Sequence, residues 1–470
     1  MKKIITLLFL LNTIFILEAQ EKKYSFTLEE AINFALENNR ISKNASRDIE
    51  AAEKLKWETT ALGLPQINAA VNYQNWLKQQ VSLFPAEMFD QHNQIRDLDQ
   101  FYNVTANPNN PIPDAPNGFI PVVFGTEQNL TATATLTQLL FDGSYLVGLQ
   151  AAKVFLEISK NAKEKTDLEI RKAVISAYSN VILSKESIAI LENNTNAVAK
   201  NLYETTKIYE NGLAEEENVE QLQITLASLK NSLLNAKRLN LVAHQMFNVT
   251  LGLDLNTTVI INENLEELVF KNIQLELIKD TVVIDNNVDY KIAKNDKESK
   301  ELLLKLEKSK YLPNLTAFIN GGYVANSDAF TFTDSNQKWF GSSLFGVSMN
   351  IPIFSSFGRS ASTQRAKIEL DKASENLTET EQQLLLEIAT AKSNYEFSIQ
   401  QYQTSKQNLN LAERIEKKNQ IKYFEGISSS FDLRQAQMQL YTSQEGYLRA
   451  MVTVINKKAE LETVLNKIEN

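Results

Sequence analysis

Tyr423–Leu440 reads YFEGISSSFDLRQAQMQL, and the way this stretch folds decides the rest of the chain. An apolar-periodic run ends at Tyr423, then come Gly426 and three serines, and a second periodic run starts near Phe431. Glycine tolerates the left-handed backbone that closes a helix, and serine or aspartate caps the next one. The stretch is the turn of a helical hairpin. It has a twin: Tyr209–Gln223, YENGLAEEENVEQLQ, places its Tyr, Gly and helix start 214 residues earlier in the same order. Two such hairpins in one chain mark an internal duplication.

Other anchors follow the same duplication. Asn38-Asn39 matches Asn286-Asn287, and Leu64-Pro65-Gln66 matches Leu312-Pro313-Asn314, both 248 residues apart. Leu140-Phe141 matches Ile353-Phe354 at 213 residues, so the offset falls by about 35 between the Leu-Pro pair and the Phe. The first repeat therefore carries an insertion there, and an insertion that leaves both flanks in register belongs to a loop. The repeats are placed at 21–265 and 266–470, after a segment 1–20 of different character.

That segment has Lys2 and Lys3, a mainly apolar run Ile4–Leu17, then Glu-Ala-Gln. It reads as a secretory signal peptide cut near Ala19 or Gln20. The chain has no cysteine, which leaves no lipid anchor on cysteine, disulfide, thiol nucleophile or cysteine metal cluster to expect. No uninterrupted run of 18 apolar residues follows, so a membrane crossing is expected only as strands. Net charge −9 with 22% charged residues provides no basic field for nucleic acid. His92 and His244, the two histidines, lie in unlike contexts and read as ordinary polar residues. Nucleophile–base sets, phosphate loops and metal spacings are missing from the sequence, so neither an enzyme nor a cofactor is expected.

Phe26–Asn39 opens with Thr27 and has Glu30 three residues on, a capping box, and closes at Asn-Asn. A helix then spans about 41–62 and stops before Pro65. From there the period becomes two: Ile67, Ala69, Val71 and Tyr73 alternate with Asn68, Ala70, Asn72 and Gln74. Strands are expected at about 66–76, 129–140, 314–324 and 343–354, each the length a tilted membrane strand needs. Tyr73, Trp76, Phe141, Tyr145, Tyr323, Trp339, Phe340 and Phe354 gather at their ends, as interfacial girdles do. Leu77–Gln128, rich in Pro, Asn and Asp, reads as irregular loop containing the insertion.

Helices of unusual length follow, from Ser144 to Tyr209 and from about Ser360 to Tyr423, with return helices at about 215–251 and 431–465. In the second, Ala366, Leu370, Ala373, Leu377, Leu384, Ile388, Ala391, Tyr395, Ile399, Tyr402 and Leu409 keep a 4-3 spacing, a coiled-coil seam. At about 1.5 Å per residue such a helix is roughly 95 Å long. Asp254–Asp285 is a mixed segment expected to pack around the rods, and a short helix is expected at about 289–311. Four strands are too few to close a membrane barrel, and open edges cannot face lipid, so the chain must pool strands with copies of itself.

Taken together, TLEEAINFALENN (27–39), LPQINAAVNYQ (64–74), LTQLLFDG (136–143), YENGL (209–213) and LGLD (251–254), then NNVDYKIA (286–293), LPNL (312–315), NIPIFSSFG (350–358) and YFEGISSSFD (423–432), resemble the TolC-like outer-membrane efflux family over essentially the whole chain after residue 20. The resemblance implies a mainly α protein with membrane β. Its duplicated chain would give four strands to a trimeric 12-stranded outer-membrane barrel, continued by a long periplasmic α-helical barrel. It implies a homotrimer in outer-membrane lipid, docking on a periplasmic adaptor and an inner-membrane pump, with no nucleic acid. The function implied is the exit duct of an efflux system. A duct for polypeptide secretion would use the same pore, and a secreted coiled-coil structural protein is the alternative from another class.

The resemblance also assigns a gate to 423–435. Tyr423 matches the family tyrosine and Asp432 a family aspartate, whereas Ser428 stands at an arginine position and Gln435 at a second aspartate position. In a threefold assembly Asp432 becomes a ring of carboxylates, which repel one another or bind cations; its other role is as a helix-start cap. Gly212, Leu213, Gly426 and Ile427 form the hairpin tips that would face the adaptor.

Overall fold

The computed structural model describes residues 23–90, 93–102, 117–279 and 283–467, with 109, 111 and 114. The expected signal peptide and His92 lie outside these residues. In chain order the elements begin with β1 (Tyr24–Phe26), α1 (Leu28–Asn38), α2 (Arg40–Ala61), β2 (Gln66–Asn75), β3 (Val81–Pro85), α3 (Asn93–Tyr102), β4 (Phe119–Val123) and β5 (Gln128–Phe141). The first long hairpin is α4 (Gly143–Glu210) and α5 (Glu216–Leu251). Then come β6 (Val259–Ile261), α6 (Leu265–Asn272), α7 (Glu276–Lys279), α8 (Val288–Ser309), β7 (Asn314–Ser327) and β8 (Phe340–Asn350). The second long hairpin, α9 (Gly358–Phe424) and α10 (Ser430–Leu465), ends the described chain.

The chain divides into two compact units. A helical unit takes the residues up to Lys56, Gln150–Lys305 and those from Ser360 on; a β unit takes Trp57–Leu149 and Leu306–Arg359. In the helical unit, α1 starts as its capping box dictates: Thr27 Oγ1 accepts from Glu30 N at 3.3 Å, and Thr27 N donates to Glu30 Oε2 at 2.8 Å. It buries Ala31, Ile32 and Ala35 in a core with Val174, Tyr178, Phe247, Leu265 and Met451. Full burial of side chains of this size stabilises by roughly 1.5–3 kcal/mol each. The segment 254–285 does pack on the long helices: β6 pairs in parallel with β1, and Leu277 joins Ile388, Tyr395 and Leu461 in a second cluster. The seam of α9 buries Ala366, Ala373, Leu384, Ile388, Ala391, Tyr395 and Ile399. By length and composition alone, part of α4 would pass for a membrane span. Val174, Tyr178 and Ile182 in it are buried in protein, as is about a third of that stretch.

The β unit holds a four-stranded antiparallel sheet in the order β2-β5-β7-β8. β8 runs from Phe340 to Asn350, earlier at both ends than the expected 343–354. Pro352 has no N–H to give a ladder, and Ser356 and Phe357 take positive φ (48° and 63°), turning the chain away into α9. Residues 77–128 are not irregular throughout. Val81–Pro85 and Phe119–Val123 pair as an antiparallel ribbon, and Asn93–Tyr102 is helical. Pro85 and Pro121 are admitted because each strand of a two-stranded ribbon has a free edge. Tyr145, expected in a girdle, is half-buried, and its hydroxyl donates to Thr60 O at 3.1 Å. Trp76, Tyr323, Phe340 and Phe354 are exposed on the chain, as girdle residues are.

Candidate functional site in the sheet and hairpin tips

The register divides the sheet into two chemically different faces. Ile67, Ala69, Val71 and Tyr73 of β2 lie opposite Leu136, Ala134, Ala132 and Leu130 of β5. The same row continues through Ile319, Gly321 and Tyr323 of β7 to Phe345, Ser343 and Gly341 of β8. On this face Ile67 (72%), Val71 (71%) and Phe345 (68%) are exposed, an apolar area that calls for a non-aqueous neighbour. The other face carries Asn68 and Asn72 opposite Thr135 and Thr131, then Asn320 and Asn326, and Ser342 and Ser348. The outer strands β2 and β8 each leave one edge unpaired among the described residues.

The two hairpin tips in the helical unit share one geometry. Gly212 (φ +76°) donates to Tyr209 O at 2.8 Å, and Leu213 N donates to Ile208 O at 3.1 Å. Gly426 (φ +75°) donates to Tyr423 O at 3.0 Å, and Ile427 N donates to Lys422 O at 2.8 Å. This paired closure satisfies the last carbonyls of α4 and α9 and needs a left-handed residue at the glycine. Leu213 (80%) and Ile427 (71%) project into solvent at matching positions.

Asp432 sits in the first turn of α10. Its Oδ2 accepts from Ser429 Oγ at 2.7 Å, Ser429 N at 3.1 Å and Ser428 Oγ at 3.1 Å, while its own N–H donates to Ser429 Oγ at 3.2 Å. The hydroxyl and N–H of Ser429, then Ser428 and the charge of Lys422, hold its carboxyl below the ordinary aspartate range. Asp432 is thus a capping-box residue, and Ser428 is its hydrogen-bond donor. Gln435 is exposed one turn further on. Tyr423 turns the other way: its hydroxyl lies 3.3 Å from Thr205 Oγ1 on α4, lining a tight gap with Asn218, Gln221, Leu433 and Gln437.

Sequence reasoning missed several residues here. Thr205 is fully buried 218 positions from its partner, and no local pattern marks it. Arg434 stacks on Phe431 at 5.5 Å; its i+3 spacing from Phe431 was the available signal. Buried Gln437 bonds the half-buried Glu416, whose carboxyl burial pushes up. Tyr441 beside it is pushed up to about 12 by burial and the Glu416 charge. Asn194 Nδ2 donates to Gln444 Oε1 at 2.9 Å. Near the tips these buried polar groups sit among apolar ones, Val198, Leu222, Leu433 and Ala436, whereas the fully buried aromatic side chains Tyr178, Phe247 and Tyr395 lie far along the chain from them.

Residues 284–467 match the family model described as outer membrane efflux protein. No curated protein sequence matches. Among solved structures, the outer membrane protein VceC from Vibrio cholerae superposes with a TM-score of 0.68 at 15% identity, covering 94% of this chain and 96% of that one. CusC, described with transmembrane channel formation, gives 0.71 at 15% identity over 93% and 91%. The open state of the Neisseria gonorrhoeae MtrE outer membrane channel gives 0.65 at 16% identity over 94% and 89%. Residues 284–467 thus match an outer membrane efflux protein domain, and over more than nine-tenths of its length the chain has the fold of these solved outer-membrane proteins.

Proposed function

We propose that this chain is the outer-membrane exit duct of a tripartite efflux system, passively conducting substrates delivered by an inner-membrane pump through a periplasmic adaptor. The observation that carries the reading is the sheet with one apolar face, one polar face and two unpaired edges. An open edge in lipid leaves backbone groups unsatisfied at several kcal/mol each, so the edges of β2 and β8 need partners from other copies. Three copies supply twelve strands and close a barrel with lipid on the Val71 side and water on the Asn72 side. The gate would lie at Tyr423, Ser428, Asp432 and Gln435, where the buried hydroxyl of Thr205 meets Tyr423 and capping bonds hold the first turn of α10. Gly212, Leu213, Gly426 and Ile427 present the adaptor with a rigid turn and an exposed aliphatic side chain on each hairpin.

The test is the mass of the detergent-extracted protein together with conductance in planar bilayers. A trimer that resists alkaline extraction and forms discrete channels is expected. A monomer released from membranes by alkali would overturn the reading.

A further inference from the structure

The four strands contain no Asp, Glu, Lys or Arg. Charged residues begin only where the strands end. Lys78, Glu127, Asp328 and Lys338 flank one end, and Asp142, Lys310 and Arg359 the other, with both signs at each. The polar face is mainly amides and hydroxyls, with the uncharged Phe318, Val324, Phe340 and Leu344 among them, and some of these groups bond one another. Across strands, Asn129 Nδ2 donates to Asn326 Oδ1 at 2.7 Å and Asn320 Nδ2 to Thr135 Oγ1 at 2.6 Å; within β5, Thr131 Oγ1 donates to Asn129 Oδ1 at 2.9 Å. Small residues extend this neutral surface: Ala70, Thr133, Gly322 and Ser342 form one row across all four strands. The Phe318 ring lies over Gly346, where a Cβ would come within 2.5 Å of it.

We infer that the four strands of this duct form a charge-neutral, hydrogen-bonding sleeve that passes anionic and cationic solutes alike, so that any charge filter lies outside the strands. This rests on the duct reading above. Selectivity by charge needs rings of one sign lining a constriction, and a lumen-facing strand surface without ionised groups offers none.

The chain has no cysteine, so single substitutions give unambiguous thiol labelling. Asn72→Cys and Thr133→Cys on the polar face and Val71→Cys on the apolar face would be reconstituted in phosphatidylcholine vesicles. Each would be treated with a cationic trimethylammonium and an anionic sulfonate methanethiosulfonate reagent. The expected result is labelling at 72 and 133 but not at 71, with a cation-to-anion rate ratio within about threefold of that of a free thiol in solution. Adding Asn68→Asp to Asn72→Cys should then tilt the ratio towards the cation. Alternating labelling with a preference of about tenfold or more for one sign overturns the neutral sleeve and leaves the duct standing. Equal labelling at 71 and 72 overturns the duct reading and the sleeve with it.

Discussion

Asn39 and Asn287 make the same set of bonds in the two repeats. Asn39 Nδ2 donates to Thr250 O at 2.8 Å, and its Oδ1 accepts from Ile41 N at 2.8 Å. Asn287 Nδ2 donates to Val464 O at 2.8 Å, and its Oδ1 accepts from Asp289 N at 2.8 Å. Each caps a short helix while tying its start to the end of a returning long helix. The asparagines are 248 residues apart and their acceptors 214 apart, the same two offsets the sequence motifs show on either side of the insertion.

Both asparagines are buried, at 8% and 4% exposure. Replacing either with Ala strips a cap and leaves a return-helix carbonyl unpaired, which costs roughly 2–3 kcal/mol. Asn39→Ser and Asn287→Ser keep an acceptor for the cap and should recover about half of that loss. Thermal unfolding of the detergent-solubilised protein measures the order: wild type, Ser, then Ala.

Gly252 and Gly426 both take positive φ, 81° and 75°, but for different reasons. A Cβ at Gly252 would stand 2.4 Å from Asn38 O, whereas one at Gly426 meets nothing within 4 Å. Gly426→Ala therefore costs only the left-handed strain, about 1–2 kcal/mol. Gly252→Ala adds a clash with backbone that has no room to move, and should lower the unfolding temperature much further or prevent assembly. Equal effects would mean that the junction at Asn38 is more compliant than its packing indicates.

The capping box at Thr27, the Asn pairs, the strand alternation and the seam of α9 were all legible because each is a local pattern with a short period. The ribbon of β3 and β4 was not. Its strands are five residues long, contain Pro85 and Pro121, and flank a Pro/Asn-rich stretch whose composition outweighs two short apolar runs. Asp432 was read as a ring carboxylate or a cap, and only coordinates place three donors on its Oδ2. The contact of Tyr423 with Thr205 leaves no trace in either local sequence, since it depends on how two hairpins pack.

That contact predicts a gating phenotype. Tyr423→Phe removes the hydroxyl and keeps the ring, and Thr205→Val removes the other partner. A net hydrogen bond is worth about 0.5–1.5 kcal/mol, so each should raise open probability in planar bilayers by roughly two- to tenfold. The double variant should add little to either single one. Independent, additive effects would show that the two residues do not act through one bond.

Asp432 and Glu416 should respond to acid in opposite senses. The carboxyl of Asp432 is depressed in the folded state, so its contribution is present above the ordinary aspartate range and is lost as pH falls through the depressed folded value. Glu416 is raised by burial against the help of Gln437. Its protonated form is favoured in the fold, so its stability contribution is full below the ordinary glutamate range and is lost as pH rises through the raised value. Acidification thus loosens the first turn of α10 and tightens the seam behind it. Hydrogen exchange across pH separates the two, with amides 430–433 exchanging faster in acid and amides near 412–420 more slowly. Asp432→Asn should flatten only the first response, and Glu416→Gln, which fixes the neutral form, only the second. Asp432→Asn also tests the carboxylate ring. If three Asp432 side chains crowd the mouth, multivalent cations block wild-type channels in bilayers and lose that block in the variant; unchanged block confines Asp432 to its cap.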